Sequence, residues 1–353
     1  MIPPDRTTAD RVVVRAPNWL GDAVMALPAM AAVRRHFASA ELTVAAGSGV
    51  ARLFAERTGV APDRILEVPT GDRAAVRQLR DGRFDVGVLF PNSFATAWVM
   101  RRAGVTHRWG YGRSARGWLL TRRAARHADA GRGLAHQSDY YRQLVRGLGI
   151  PCEEDAPRID VTPAAVARSM RLAGLKSSHD ARLVLLAPGA AYGQAKQWSP
   201  DRVAALIGRL VGERGATCVL VGAAHDRDAG IRIESWLRDH APAASAGLRN
   251  LIGRTQLADL IALAAGSRVC VTNDSGAMHV AAATGVPVVA LFGPTDERVT
   301  RPLGRGDVLT APVFCRPCHL RDCPIDHRCM KRITVDTVFA AVSRQLAFAR
   351  SPA

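Results

Sequence analysis

Short apolar runs alternate along the chain with stretches whose apolar residues recur every three or four positions. The runs have the length of buried strands and the periodic stretches that of amphipathic helices. RVVVR at Arg11–Arg15 reads as a first strand, and a helix is expected from about Ala23 to Phe37 through Val24, Leu27, Met30 and Val33. Strands at 41–46, 65–68 and 85–90 alternate with helices near 50–57, 74–79 and 93–102, and a further helix fits 136–148. The pattern pauses in PCEEDAPRIDV, residues 151–161, whose Pro and acidic residues suit a linker. It then restarts. Strands are expected at 183–186, 217–221, 269–272 and 287–292, and helices at 163–172, 200–213, from a Thr255 cap to 265, along the Ala-rich stretch after Gly276, and at 333–348. Alternation of this kind gives an α/β chain with parallel sheets covered by helices on both faces. The expected division is 1–160, 161–332 and a terminal helix over 333–353.

In open parallel sheets ligands bind beyond the carboxyl ends of the strands, so the polar loops that follow strands carry the candidate chemistry. The first strand runs into Asn18-Trp19-Leu20-Gly21-Asp22. Asp22 at a helix entrance is either an N-cap or a base facing a cleft. The 85–90 strand ends in Pro91-Asn92-Ser93, and the 183–186 strand in PGAAYGQAKQW, which contains Tyr192 and Lys196. Strand 269–272 ends in Asn273-Asp274-Ser275-Gly276, with His279 one turn into the following helix. Backbone N–H groups, a hydroxyl and a glycine at a helix N-terminus form a phosphate site, whereas a cap alone would need only one of these residues. His279 is equally readable as a core histidine, and Lys196 as a surface lysine. The loop GAAHDRD offers Asp226 and Asp228.

Composition narrows the partners. With 353 residues, 48% apolar and 22% charged, the chain suits two globular domains. No apolar run has the length of a membrane span and the N-terminus lacks a signal core, so a cytoplasmic, soluble protein is expected. A net charge of +17, densest from Arg101 to Arg146, suggests polyanionic partners, although Arg spread through an Ala-rich chain also reads as a solvated face. With 5% aromatic residues there is no basic-aromatic stacking array, and nucleic acid is not expected as a partner. The Arg-rich loop from Gly112 to Gly133 is the expected mobile segment of the first half. Cys218 and Cys270 sit in apolar strands as core residues. Cys315, Cys318, Cys323 and Cys329, with His319 and His327, cluster in a Pro-rich loop. Their spacing fits no standard zinc finger, and they read either as reduced thiols or as a structural metal site. No paired-carboxylate magnesium motif is evident, so no metal or cofactor is expected in catalysis.

RAPNWLGDAVMALPA, PGAAYGQAKQW and TNDSGAMHVAAATGVPVVALFGPTD, in that order, resemble the heptosyltransferase family of bacterial lipopolysaccharide synthesis, and the likeness extends from Arg11 to about Val342. The resemblance implies a GT-B fold, two Rossmann-like domains facing across a cleft, with the last helix crossing back onto the N-terminal one. It implies an inverting transfer of L-glycero-D-manno-heptose from ADP-heptose to the first inner-core heptose on Kdo–lipid A. Alternatives are transfer to Kdo or another core sugar, or a non-catalytic nucleotide-sugar-binding protein. It casts Asp22 as the base and Lys196 as the phosphate-binding cation. Asp274, Ser275, Gly276 and His279 become donor-loop residues, Asp226 (or Asp228) the ribose-binding acid, and Tyr192 a neighbour of the nucleotide. Acceptor specificity would lie near Asn18, Trp19, Gly21, Asn92 and Ser93. A monomer in peripheral contact with the inner membrane surface is expected.

Overall fold

The computed structural model describes residues 9–69, 72–124, 136–153, 155–175 and 182–347. Part of the Arg-rich loop expected to be mobile, and Phe348 at the end of the expected last helix, lie outside these residues. The chain divides into two compact units, 1–160 and 161–353.

The first unit is built on a six-stranded sheet in the order Arg64–Glu67, Glu41–Ala46, Arg11–Arg15, Val86–Leu89, His107–Gly110, Arg122–Arg123. Every pairing in it is parallel. Arg11–Arg15 lies at the centre with Val12, Val13 and Val14 fully buried, which explains a run with no polar alternation. The second unit repeats the plan with Leu248–Asn250, Thr217–Leu220, Leu183–Ala187, Val269–Asn273, Val288–Phe292 and Gly306–Thr310, again all parallel. Its central strands send alternate residues to opposite faces. Val184, Leu186, Val271 and Leu291 pack against the helices Pro200–Arg214 and Arg227–His240. Leu185, Cys270, Ala290 and Phe292 pack against Pro163–Leu172, Leu257–Gly266 and Gly276–Ala283. Cys218 and Cys270 are core residues, and burial pushes both thiols up to about 12. Helix Pro200–Arg214 begins with proline, whose missing N–H is no loss there, and ends at Gly215 in the left-handed region, φ +58°.

Several sequence expectations are corrected. The first helix spans Leu20–His36, with Trp19 extended at the cap position, so Asp22 lies inside the first turn and is not the N-cap. The cap of Leu257–Gly266 is Gln256, whose N–H donates to Asp259 Oδ2 at 3.0 Å, not Thr255. The edge strands Leu248–Asn250 and Gly306–Thr310 carry no continuous apolar run because an edge strand is half exposed, and Gly306–Thr310 alternates in and out of solvent.

The last helix, Val335–Ala347, buries Val338, Phe339, Ala341 and Val342 in the second unit's own core, on the face already occupied by Pro200–Arg214. Its apolar stripe is thus used within its own unit. Trp198 locks the start of this segment by donating from Nε1 to the Ile333 carbonyl at 3.0 Å. The guanidinium of Arg209 lies 4.0 Å over the Phe339 ring. Phe339→Ala should therefore cost about 3 kcal/mol of unfolding free energy in a denaturant titration; a loss below about 1 kcal/mol would contradict this packing.

Candidate active site

In each unit the chain leaves the central pair of strands in opposite directions. The first unit switches between Arg11–Arg15 and Val86–Leu89, and the second between Leu183–Ala187 and Val269–Asn273. The loops beyond the carboxyl ends of such a pair diverge and leave room for a ligand. Four of the loops singled out in the sequence are at these two points; the fifth, GAAHDRD, follows the neighbouring strand Thr217–Leu220.

In the first unit, Arg15 is partly withdrawn from water, and its guanidinium donates to Asn18 Oδ1 at 3.1 Å and to the Ala45 carbonyl at 3.1 Å. Trp19 is 54% exposed. Asp22 Oδ1 accepts a hydrogen bond from the Tyr141 hydroxyl at 3.0 Å. Tyr141 is buried, and burial, then the Asp22 charge, hold its phenol well above the ordinary value. It stays a donor throughout the neutral range. Tyr141 comes from helix Gln137–Gly147, which is fixed to the first helix where Ser138 Oγ donates to the Met25 carbonyl at 3.0 Å. The sequence reading missed Tyr141. The available signal was the spacing of Ser138, Tyr141, Leu144 and Val145, which places the phenol on the buried stripe of its helix.

The second loop of this unit is held from beneath by Arg116, a fully buried arginine. It donates to the carbonyls of Pro91 (2.5 Å), Ser93 (3.3 Å) and Tyr111 (3.0 Å) and to Asn92 Oδ1 (3.2 Å), and burial lowers its pKa. Asn92 donates in turn to the Tyr140 hydroxyl. Ser93 is the N-cap of helix Phe94–Arg102, with its Oγ accepting from Thr96 N at 3.2 Å, so its hydroxyl serves the helix start.

In the second unit, Lys196 and Asp274 meet. The ammonium lies 2.5 Å from Asp274 Oδ2, with both side chains nearly buried, and Thr295 Oγ1 donates to the same oxygen at 2.7 Å. Lys196 also sits 4.6 Å over the Tyr192 ring. Asn273 ties the two loops together, donating to the Pro188 carbonyl at 2.5 Å and accepting from Trp198 N at 3.3 Å. Ser275 occupies the cap position of Gly276–Ala283, yet its side chain makes no cap hydrogen bond and shares one with Thr272 Oγ1 at 3.2 Å. Neither Asp274 nor Ser275 is therefore a simple cap. His279 is buried on this helix. Asp226 is buried, accepts from Ala223 N at 3.0 Å, and lies directly against Gly189, where any Cβ would collide with its carboxylate. Asp228 is exposed on helix Arg227–His240.

The cysteine loop closes over this lysine loop. The Tyr192 hydroxyl donates to the His319 carbonyl at 2.8 Å, Ala195 N to the Arg321 carbonyl at 2.9 Å, and His319 N to the Pro294 carbonyl at 2.9 Å. Gly193, φ +156°, runs so close to Arg321 that a Cβ would strike its backbone. The Arg321 guanidinium lies 5.3 Å from the Tyr192 ring, so two cations share one phenol. Sequence reading missed Arg321 because the contact joins segments about 130 residues apart. Cys318 is exposed, Cys329 is buried and Cys315 and Cys323 are intermediate, all as free thiols. Among the described residues no three His, Cys, Asp or Glu side chains converge as metal ligands.

Two six-stranded parallel units, each with its loops diverging at a switch point, have the GT-B architecture of the heptosyltransferase structures. The chain belongs to glycosyltransferase family 9, the heptosyltransferases, whose sequence profile matches residues 73–328. It is 30% identical to lipopolysaccharide heptosyltransferase 2 of Salmonella typhimurium and 31% to that of Escherichia coli, in each case over 83% of this chain and 85% of the relative. The structure of E. coli ADP-heptose lipopolysaccharide heptosyltransferase II superposes with a TM-score of 0.81 at 27% identity, covering 95% of this chain and 98% of that one.

The Lys196–Asp274 pair makes a folding prediction independent of activity. Asp274→Ala should destabilise the protein by about 3 kcal/mol by leaving a nearly buried ammonium unpaired, and Lys196→Met/Asp274→Leu should recover most of it. Equal losses in the single and double variants, read by chemical denaturation, would show that the charge pair is not the cause.

Proposed function

We propose that the enzyme moves L-glycero-D-manno-heptose from ADP-heptose to the first heptose of the lipopolysaccharide inner core, with inversion at the anomeric carbon. The observation that carries this reading is the second-unit site: a cation fixed by a buried carboxylate beside a helix N-terminus whose serine leaves the first turn uncapped. That is a seat for a nucleoside diphosphate leaving group.

In the transfer, the acceptor hydroxyl oxygen forms a bond to the anomeric carbon as the bond from that carbon to the ADP oxygen breaks. The hydroxyl proton passes to Asp22, and the bonding pair leaves with ADP. A carboxylate is a weak base towards a sugar hydroxyl, so proton transfer comes late, as positive charge develops on the sugar. The Tyr141 hydroxyl orients the carboxylate. Lys196 and the N–H groups around Ser275 and Gly276 receive the charge on the departing phosphates, and Arg321 adds a second cation. Asp274 is a positioning residue for Lys196. Asp226, buried under Gly189, suits the ribose better than the exposed Asp228. His279 and Tyr192 complete the donor side, and Asn18, Trp19, Gly21, Asn92 and Ser93 border the acceptor side. None of these steps requires a metal. The enzyme works as a monomer in the cytoplasm, at the inner face of the inner membrane, where its basic surface meets acceptor phosphates and carboxylates. No helix among the described residues is long and apolar enough to cross a membrane.

Transfer assayed with EDTA should occur on an acceptor carrying one heptose and not on one ending in Kdo. Turnover only on the Kdo-terminated acceptor would move the assignment to the first heptose transfer, and failure on both with ADP still bound would overturn the donor or acceptor. Asp22→Asn should lower kcat about 10²–10⁴-fold with ADP binding intact. Tyr141→Phe removes the hydrogen bond that orients the carboxylate, and kcat/KM should drop about tenfold with ADP binding unchanged. Arg321→Ala should weaken ADP binding about fivefold and leave adenosine binding unchanged.

A further inference from the structure

Helix Phe94–Arg102 and the turn Gly117–Leu119 place three aromatic rings side by side at the surface of the first unit. Phe94 is 43% and Trp118 61% exposed, and Trp98 is half-buried between them. The ring centroids lie 6.2 to 6.4 Å apart. Arg101 reaches over Trp118 at 5.5 Å and Arg102 over Trp98 at 5.9 Å. A cluster of large exposed rings is costly to leave in water and marks a surface that something covers.

The surrounding charge says what. From Phe94 to Ala124 there are seven arginines, at 101, 102, 108, 113, 116, 122 and 123, and no aspartate or glutamate. Three are used internally: Arg108 on the carbonyls of Val105 and Leu119, Arg116 under the Asn92 loop, and Arg122 over Trp109 at 4.8 Å. Arg101, Arg102, Arg113 and Arg123 are exposed. Rings that can sit at the depth of lipid headgroups, edged by guanidinium groups that pair with phosphates, form an interfacial anchor for an anionic bilayer.

We propose that Phe94, Trp98 and Trp118 with Arg101 and Arg102 are a docking surface for an anionic phospholipid membrane. The patch is continuous with the loop assigned to the acceptor. Ser93 caps the helix that begins at Phe94, and Arg116, two residues before Trp118, holds the carbonyls of Pro91 and Ser93. Docking here presents the Asn92 loop at the membrane plane, where a lipid-linked acceptor lies. That benefit rests on the function proposed above; binding to lipid does not.

The test is co-sedimentation of the full chain with vesicles of phosphatidylglycerol and phosphatidylcholine, against phosphatidylcholine alone, without substrate. The wild type should bind the anionic vesicles and release with salt. Arg101→Glu/Arg102→Glu and, separately, Phe94→Ser/Trp118→Ser should each weaken binding at least about tenfold. Both should keep wild-type circular dichroism and wild-type transfer to a delipidated, water-soluble acceptor. The arginine pair is on the surface, so it remains decisive if the aromatic pair misfolds. Equal binding by wild type and the arginine variant, or binding indifferent to lipid charge, would overturn the proposal. So would self-association without vesicles that the variants abolish, which would assign the patch to a second copy of the chain. Vesicle binding without any transfer from ADP-heptose would leave the surface standing and remove the functional reading.

Discussion

A nearly buried ion pair organises the second unit's site. Lys196 and Asp274 leave adjacent strands and are separated by 78 residues in sequence, and each needs the other to be tolerable away from water. Thr295 and Tyr192 complete the pair's surroundings, so the lysine loop, the Asp274 loop and the Thr295 turn meet at one charge pair. An ammonium held in this way cannot swing freely into solvent. In the donor-binding role proposed for it, the lysine is positioned in advance and loses little side-chain entropy on meeting a phosphate.

Both units use one structural device, the divergence of the chain at the middle of a parallel sheet, and fill it with different chemistry. In the first, a carboxylate in a helix's opening turn accepts from a buried phenol. In the second, a carboxylate is neutralised by a lysine. The contrast underlies the different roles proposed for the two carboxylates. The loops are held by unlike means as well. A buried arginine with carbonyl partners supports the Asn92 loop from inside, whereas the cysteine loop lies over the lysine loop by accepting, at its backbone carbonyls, hydrogen bonds from the Tyr192 hydroxyl and the Ala195 N–H.

The cysteine loop acquires a role that does not depend on its thiols. Its backbone at His319 and Arg321 holds Tyr192 and Ala195, Arg316 donates to the Gly293 and Thr295 carbonyls at 2.7 and 2.9 Å, and Arg316 pairs with Glu297. Met330 packs so tightly against Gly293 that a side chain there would not fit. The turn at Gly293-Pro294-Thr295 is thereby clamped from one side while Thr295 reaches Asp274 from the other.

The alternation of apolar runs and helical periods was enough to predict two parallel α/β halves, because strands buried on both faces cannot be polar and their crossovers must be amphipathic. The loops that carry Asp22, Asn92, Lys196 and Asp274 were legible for the same reason, since each follows such a strand. Local pattern failed where burial is one-sided or the partner is distant. The edge strands lack an apolar run. Trp19 rather than Asp22 stands at the first cap position, since only the packed neighbours select among several acceptable caps. Tyr141 against Asp22, Arg116 beneath Asn92 and Arg321 beside Tyr192 span 119, 24 and 129 residues of chain. Such contacts leave no periodic trace in the sequence; the residue types were given by the chain, and their pairing was decided by the fold that brings them within hydrogen-bonding or stacking distance.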